Sequence, residues 1–258
     1  EILTLFREKA PERTFEIFRL DLTWRTLLEI IDLMEDMPAD YRLELLNGIA
    51  EEEGWYPKVN LVQTLKKLMQ NGVEGLQPLF GKLLDDGNEE VRAEALKAAF
   101  EISHPVSSPA RLEEALHDSS PKVRETALGI FCSQNSRMDL EALETISHLL
   151  DDEEARVREK AFEIHLEALF GDDRREIAIS KLHDYSGRIK SKALTALEDH
   201  YDPRLLESYL ILVRDDSEEV RTLALNALKP YDDMRVFSEI LSSLDDVDPE
   251  IGQIALEM

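Results

Sequence analysis

Cysteine is almost missing from this chain. A single one, Cys132, stands among 258 residues, which excludes an intramolecular disulfide framework and is what a reducing compartment permits, so residence in the cytoplasm is expected. Glycine and proline are sparse, ten of each, which favours helices over strands and linkers. No apolar run approaches the roughly 18–20 residues needed to span a bilayer, and no basic-then-apolar leader opens the chain. Basic charge is also scarce, with 30 Lys and Arg against 55 Asp and Glu for a net charge of −25. Residues 1–78 carry 9 basic and 15 acidic side chains and residues 79–258 carry 21 and 40, so the deficit runs the whole length. Nucleic acid needs cations against its phosphates and is disfavoured as a partner. Another protein with a basic surface or helix is favoured.

Catalytic signatures are missing as well. There is no G-x-S-x-G turn, and Gly75 to Lys82 has five residues between its glycines rather than four, with Leu83 where a phosphate loop places Ser or Thr. The six histidines form no H-E-x-x-H or i, i+4 pair. His117 and His183 hold equivalent places two repeats apart, roughly 20 Å on the 8–10 Å spacing of packed helix layers, too far to share a metal. The pairs Asp85-Asp86, Asp151-Asp152, Asp215-Asp216 and Asp245-Asp246 lack the alternating loop of a calcium site. No catalytic residue, metal ligand or cofactor site is therefore assigned, and the chain is expected not to be an enzyme.

What the chain does have is a phrase that returns six times. It runs Asp86…Val91-Arg92-x-x-Ala95-Leu96, Asp118…Val123-Arg124-x-x-Ala127-Leu128, Asp152…Val157-Arg158-x-x-Ala161-Phe162, Asp184…Ile189-Lys190-x-x-Ala193-Leu194, Asp215…Val220-Arg221-x-x-Ala224-Leu225 and Asp246…Ile251-Gly252-x-x-Ala255-Leu256. The basic positions lie 32, 34, 32, 31 and 31 residues apart, the interval of a helix pair repeated along a solenoid. Asn88, Ser120, Glu154, Ser186, Ser217 and Asp248 stand where the second helix of each pair should be capped, and five of the six are good capping side chains. On a helical wheel the basic residue falls inside the apolar face. A guanidinium there needs a partner, and the turn aspartate of its own or a neighbouring unit supplies one. The expectation is a structural ladder of Asp86, Arg92, Asp118, Arg124, Asp152, Arg158, Asp184, Lys190, Asp215 and Arg221.

This pattern, with turn Asp and second-helix Val-Arg six apart, resembles the HEAT repeat, particularly the short bacterial and archaeal type also seen in phycobilin lyase subunits. The match covers about residues 73–258. It departs at Lys190, a basic swap, and at Gly252, where the last interface is expected to differ. The resemblance implies an all-α, right-handed α-α superhelix of about six repeats, the last truncated, whose second helices line a concave face. Residues 1–72 are expected to continue the stack as degenerate or capping helices over Thr23 to Asp36, Ala39 to Glu53 and Val59 to Gln70, broken by Pro38 and by Gly54-Trp55-Tyr56-Pro57. The first 20 residues are an alternative packing surface for something else. The chain opens on Glu1 and stops inside a helix still being built, so a longer chain or complex is expected.

Function follows from the resemblance and the charge together. Some HEAT-type proteins are di-iron hydroxylases built on His-Glu dipeptides, and this chain contains none. The leading expectation is a scaffold that binds protein through an acidic surface. The alternative is a bilin-lyase-like subunit that holds a tetrapyrrole or its carrier protein. Opposite the core, positions one, two, five and nine after the basic residue should form exposed ridges. Glu94, Glu125, Glu159, Glu163, Glu167, Lys160 and Lys192 are the candidate partner-binding residues on them. Trp24, Trp55, Tyr56, Tyr209 and Tyr231 are the candidate exposed aromatics, each more often core than contact.

Overall fold

An aspartate two residues ahead of a helix start can accept a backbone N–H with its side chain and so fix a tight turn. In this computed structural model every repeat uses that device. Oδ1 of Asp86, Asp118, Asp152, Asp184, Asp215 and Asp246 accepts the N–H two residues on, at 2.7–3.0 Å. The residues described are Met34, 39–51, 53–102, 108–135, 138–198 and 200–257. Among them all regular structure is helical. The expected helix over Thr23 to Asp36, Trp24, His104 and the first 20 residues lie outside this set, Met34 apart.

The chain divides into two compact units, 1–136 and 137–258. The first contains α1 (Ala39–Ala50), α2 (Trp55–Gln70), α3 (Gln77–Leu84), α4 (Glu89–Ile102), α5 (Pro109–Leu116) and α6 (Pro121–Gln134). They form three helix pairs whose second members, α2, α4 and α6, pack in a row. Its core joins Leu45, Leu46, Leu61, Leu65, Phe80 and Val91, all but inaccessible to solvent. The second unit contains α7 (Leu140–Ile146), which runs into a 3₁₀ turn at Ser147–Asp151, then α8 (Ala155–Ala168), α9 (Gly171–Ser180) and α10 (Gly187–Ala196). A 3₁₀ turn at Pro203–Leu205 leads into α11 (Leu206–Leu212), followed by α12 (Glu218–Leu228), α13 (Met234–Ser243) and α14 (Pro249–Glu257). Here α8, α10, α12 and α14 form the row of second helices.

The phrase residues do what their spacing requires. The β-branched residue, alanine and leucine or phenylalanine are buried in each of the first five repeats, and alanine's lack of bulk lets neighbouring helices approach. In the sixth repeat Ile251 and Ala255 are buried but Leu256 is 77% exposed. Gly252 takes the basic position there, and a Cβ on it would lie 3.2 Å from the Leu244 carbonyl oxygen.

Two readings of the sequence are corrected. The break expected at Gly54 to Pro57 is there but earlier and shorter, since α1 ends at Ala50, Gly54 is the extended cap of α2, and α2 begins at Trp55 with Pro57 in its first turn, where the missing N–H would have no intrahelical acceptor anyway. Capping also works differently from the expectation. Asn88 and Asp248 accept the N–H of Glu90 and Glu250 with their side chains. Ser120, Glu154, Ser186 and Ser217 make no side-chain cap, and the turn aspartate takes up the N–H of each of these residues instead.

The start of α2 also reveals a repeat hidden from the sequence. Pro57-Lys58-x-x-Leu61-Val62 occupies the place of the phrase, with Leu61 and Val62 fully buried. Lys58 Nζ donates to Asp86 Oδ2 of the following pair at 2.8 Å, both side chains being largely covered. Replacing Lys58 by alanine is expected to lower the stability of the first unit by about 1 kcal/mol. Lys82→Ala, which breaks an exposed pair with Glu51, should cost almost nothing by the same denaturation measurement.

Candidate functional site

A guanidinium has a fork and a third arm, and the repeats use both. Arg158 on α8 donates from Nε and Nη2 to the two carboxylate oxygens of Asp184, one repeat ahead, at 2.9 and 3.0 Å. Its Nη1 turns back to the carbonyls of Asp152 and Glu153 in its own turn, at 2.7 and 3.1 Å. Arg92 repeats the pattern with Asp118 and the carbonyls of Asp86 and Gly87, and Arg221 with Asp246 and those of Asp215 and Asp216. Arg124 makes the same carbonyl contacts to Asp118 and Ser119. Lys190 has no fork and reaches Asp215 with one nitrogen.

The alternatives left open by spacing thus resolve into a division of labour, with the carboxylate taken from the next repeat and the carbonyls from the same one. Each rung fixes a turn and ties it to its neighbour. Burial pushes the Asp118 and Asp184 carboxyls up, but hydrogen bonds from Arg92 and Ser120, and from Arg158 and Ser186, outweigh it and hold both below the ordinary range. At Asp246 the Arg221 hydrogen bond dominates in the same direction. The partner arginines are raised correspondingly, led by the same hydrogen bonds. These cations are committed to the frame.

The second-helix faces hold the candidate binding residues, and here one expectation fails. The ridge one position after the basic residue is not uniformly exposed, because Ala93 and Ser191 are buried between adjacent second helices, Ser191 donating to the Gly187 carbonyl at 2.9 Å. The same row takes in Glu159, 14% exposed, which pairs with Lys192 at 3.1 Å and Arg188 at 3.5 Å. Lys192 also holds Glu163, and Lys160 approaches Glu163 at 3.8 Å. Burial lowers the Lys192 ammonium, but the two glutamates outweigh it and raise it. In the first unit Gln63 donates to Glu94 at 2.7 Å, Lys97 pairs with Glu94 at 3.5 Å and Lys66 pairs with Glu101. Glu94, Glu159, Glu163 and Lys192 therefore cross-link helices, Lys160 pairs within α8 alone, and Glu125 and Glu167 stand exposed.

Among the aromatic candidates Trp55 is exposed, Tyr56 half-buried, and Tyr209 and Tyr231 are core, the Tyr231 hydroxyl donating to the Asp202 carbonyl at 2.6 Å. Sequence reasoning missed Phe170, Tyr185, Tyr201 and Phe237, all exposed. Tyr185 lies in the turn after Asp184, and its place outside the phrase was the one available signal. His165 is buried on α8 with Nδ1 2.8 Å from the Ala161 carbonyl, and burial lowers its pKa, so it fills the core as a neutral ring. Among the described residues no group of three or more His, Cys, Asp or Glu could hold a metal ion, and no helix is long and apolar enough to cross a membrane.

The described residues form an all-α array of repeated helix pairs joined by Asp–Arg rungs. No family model and no curated protein matches it. Solved structures similar to it include YibA of E. coli, 17% identical over 91% of this chain and 86% of that one with a TM-score of 0.49. An archaeal HEAT-like repeats protein from Thermococcus onnurineus NA1 is 14% identical over 96% and 95%, with a TM-score of 0.39. Human deoxyhypusine hydroxylase is 16% identical over 90% and 96%, with a TM-score of 0.36. With TM-scores below 0.5 none of these decides what this chain does.

Proposed function

We propose that the chain is a non-enzymatic scaffold, resident in the cytoplasm, that holds a basic segment of a partner protein against its second-helix faces. The observation that carries this reading is that the arginines of the repeated phrase are taken up by the frame. Arg92, Arg158 and Arg221 are drawn inward, 12–17% exposed, to bind turn aspartates. Glu101 and Glu125 in the first unit and Glu167 in the second are left on the surface. With a net charge of −25 over the whole chain, that outward field attracts lysine- and arginine-rich segments and repels nucleic acid.

The test is a pull-down from a lysate of the source at low and at physiological salt, using the wild type and a triple Glu101→Lys, Glu125→Lys, Glu167→Lys variant. These positions are exposed, but Glu101→Lys breaks the pair with Lys66 and sets two ammonium groups together, so a loss of about 1 kcal/mol is expected and is to be checked by thermal denaturation. A partner that binds through a basic segment and weakens by roughly tenfold or more on reversal supports the scaffold. A partner retained equally by the variant sinks the charge argument.

A further inference from the structure

Gly129 is a residue the fold does not need. It sits in the interior of α6, where glycine costs roughly 0.5–1 kcal/mol relative to alanine. Its backbone is not in the left-handed region, which Gly72, Gly75 and Gly171 occupy. A Cβ built on it would meet nothing within 4 Å, so no neighbour demands the missing side chain. In the other repeats the equivalent position carries Lys97, Glu163, Thr195 or Asn226.

The space it leaves is part of a cleft of about 400 Å³ between α4 and α6, also lined by Phe100, Ile130, Glu101, Glu125 and Lys97. Phe100 and Ile130 are half-buried and supply an apolar floor, while Glu101 and Glu125 on the rim are exposed. Two cations stand by: Lys97 lies 3.5 Å from Glu94 and is partly neutralised by it, and Lys66 pairs with Glu101.

We infer that this cleft is the anchor site of the scaffold, taking one large apolar side chain of a partner peptide whose flanking residues are lysine or arginine. The inference rests on the scaffold reading and adds the anchor's place and chemistry to it. The apolar floor rewards burial of the anchor, and the rim carboxylates select the sign of its flanks, Glu125 foremost because Glu101 is already paired with Lys66. An acidic or anchorless peptide gains neither.

A randomised peptide library selected on the wild-type chain tests it, with the enriched peptides then measured by fluorescence anisotropy against Gly129→Ala, Gly129→Trp and Glu125→Lys. The expected peptides share an aromatic or large aliphatic residue between basic ones. They keep most of their affinity for G129A, which should also raise the melting temperature, and lose at least roughly tenfold on G129W and on replacement of the anchor by alanine. The Cβ is unobstructed, and the melting temperature of G129W, measured beside the wild type, separates a filled cleft from a disturbed helix pair. Basic peptides that bind G129W as well as wild type, yet fail on E125K, would overturn the anchor site and leave the scaffold standing. Acidic peptides, or no enrichment, would overturn both.

Discussion

Replacing Arg158 by alanine is expected to destabilise the second unit by about 3 kcal/mol, measured by urea denaturation. The side chain makes four hydrogen bonds, two to Asp184 and one each to the Asp152 and Glu153 carbonyls. Both partners of the ion pair are mostly covered, 12% and 6% exposed, so water replaces what is lost only in part. The alanine variant leaves a buried carboxylate and two carbonyls short of a donor, which costs more than the pair was worth. Arg158→Lys should recover about half, since Lys190 shows that an ammonium at this position serves its aspartate with a single contact. A double-mutant cycle with Asp184→Ala should give a coupling near 2 kcal/mol. A coupling near zero would mean the rung contributes geometry without energy.

The pH dependence of that deficit separates the electrostatic part from the packing part. Asp184 is held below its ordinary range in the folded chain. Its contribution is therefore complete above the unfolded value of about 3.9 and is lost as the pH falls through the lower folded value. Asp118 and Asp246 behave alike, so the wild type should lose stability steeply on acidification below about pH 4. In the Arg158→Ala variant burial still pushes the Asp184 carboxyl up while its strongest opposing hydrogen bond is gone, so protonation relieves rather than harms it. The gap between variant and wild type is expected to narrow from pH 7 toward pH 4. A gap constant with pH would assign the loss to the methylene stem and not to the charge.

The ladder was legible because its parts are chemically unforgiving. A buried guanidinium demands an acceptor and a tight turn demands an Asx side chain, so both leave fixed letters at fixed spacing. The direction of each rung was not legible, since the wheel gives the azimuth of Arg158 but not which repeat lies within reach of its tip. The repeat at Lys58 escaped for a related reason. Proline and leucine replace the β-branched residue and the alanine there, and Pro57 in a first turn looks the same in sequence as a helix break. On the second-helix faces, single-helix periodicity placed Glu159 outward, whereas Lys192 and Arg188 from the neighbouring helix close over it. Contacts between repeats are what one helix's periodicity cannot contain.

Leu225 and Leu256 put that distinction to a quantitative test, because they are the same letter at the same place in the phrase. Leu225 is fully buried and Leu256 is 77% exposed. Truncating Leu225 to alanine removes buried methyl groups and leaves a cavity among Val220, Ala224 and their neighbours, so a loss of about 2–5 kcal/mol is expected. Leu256→Ala removes surface already in water and should fall within about 0.5 kcal/mol. The exposure of Leu256 is one of several on the last helix pair, where Met234, Phe237, Leu241 and Val247 are also exposed. Their previous-repeat counterparts include Leu206 and Leu210, which are only half-exposed. Identical losses at Leu225 and Leu256, read from paired denaturation curves of the two variants, would mean that the last pair is covered in solution as the inner ones are. A difference of several kcal/mol would show that the phrase specifies a helix face, and that only a neighbouring repeat turns that face into stability.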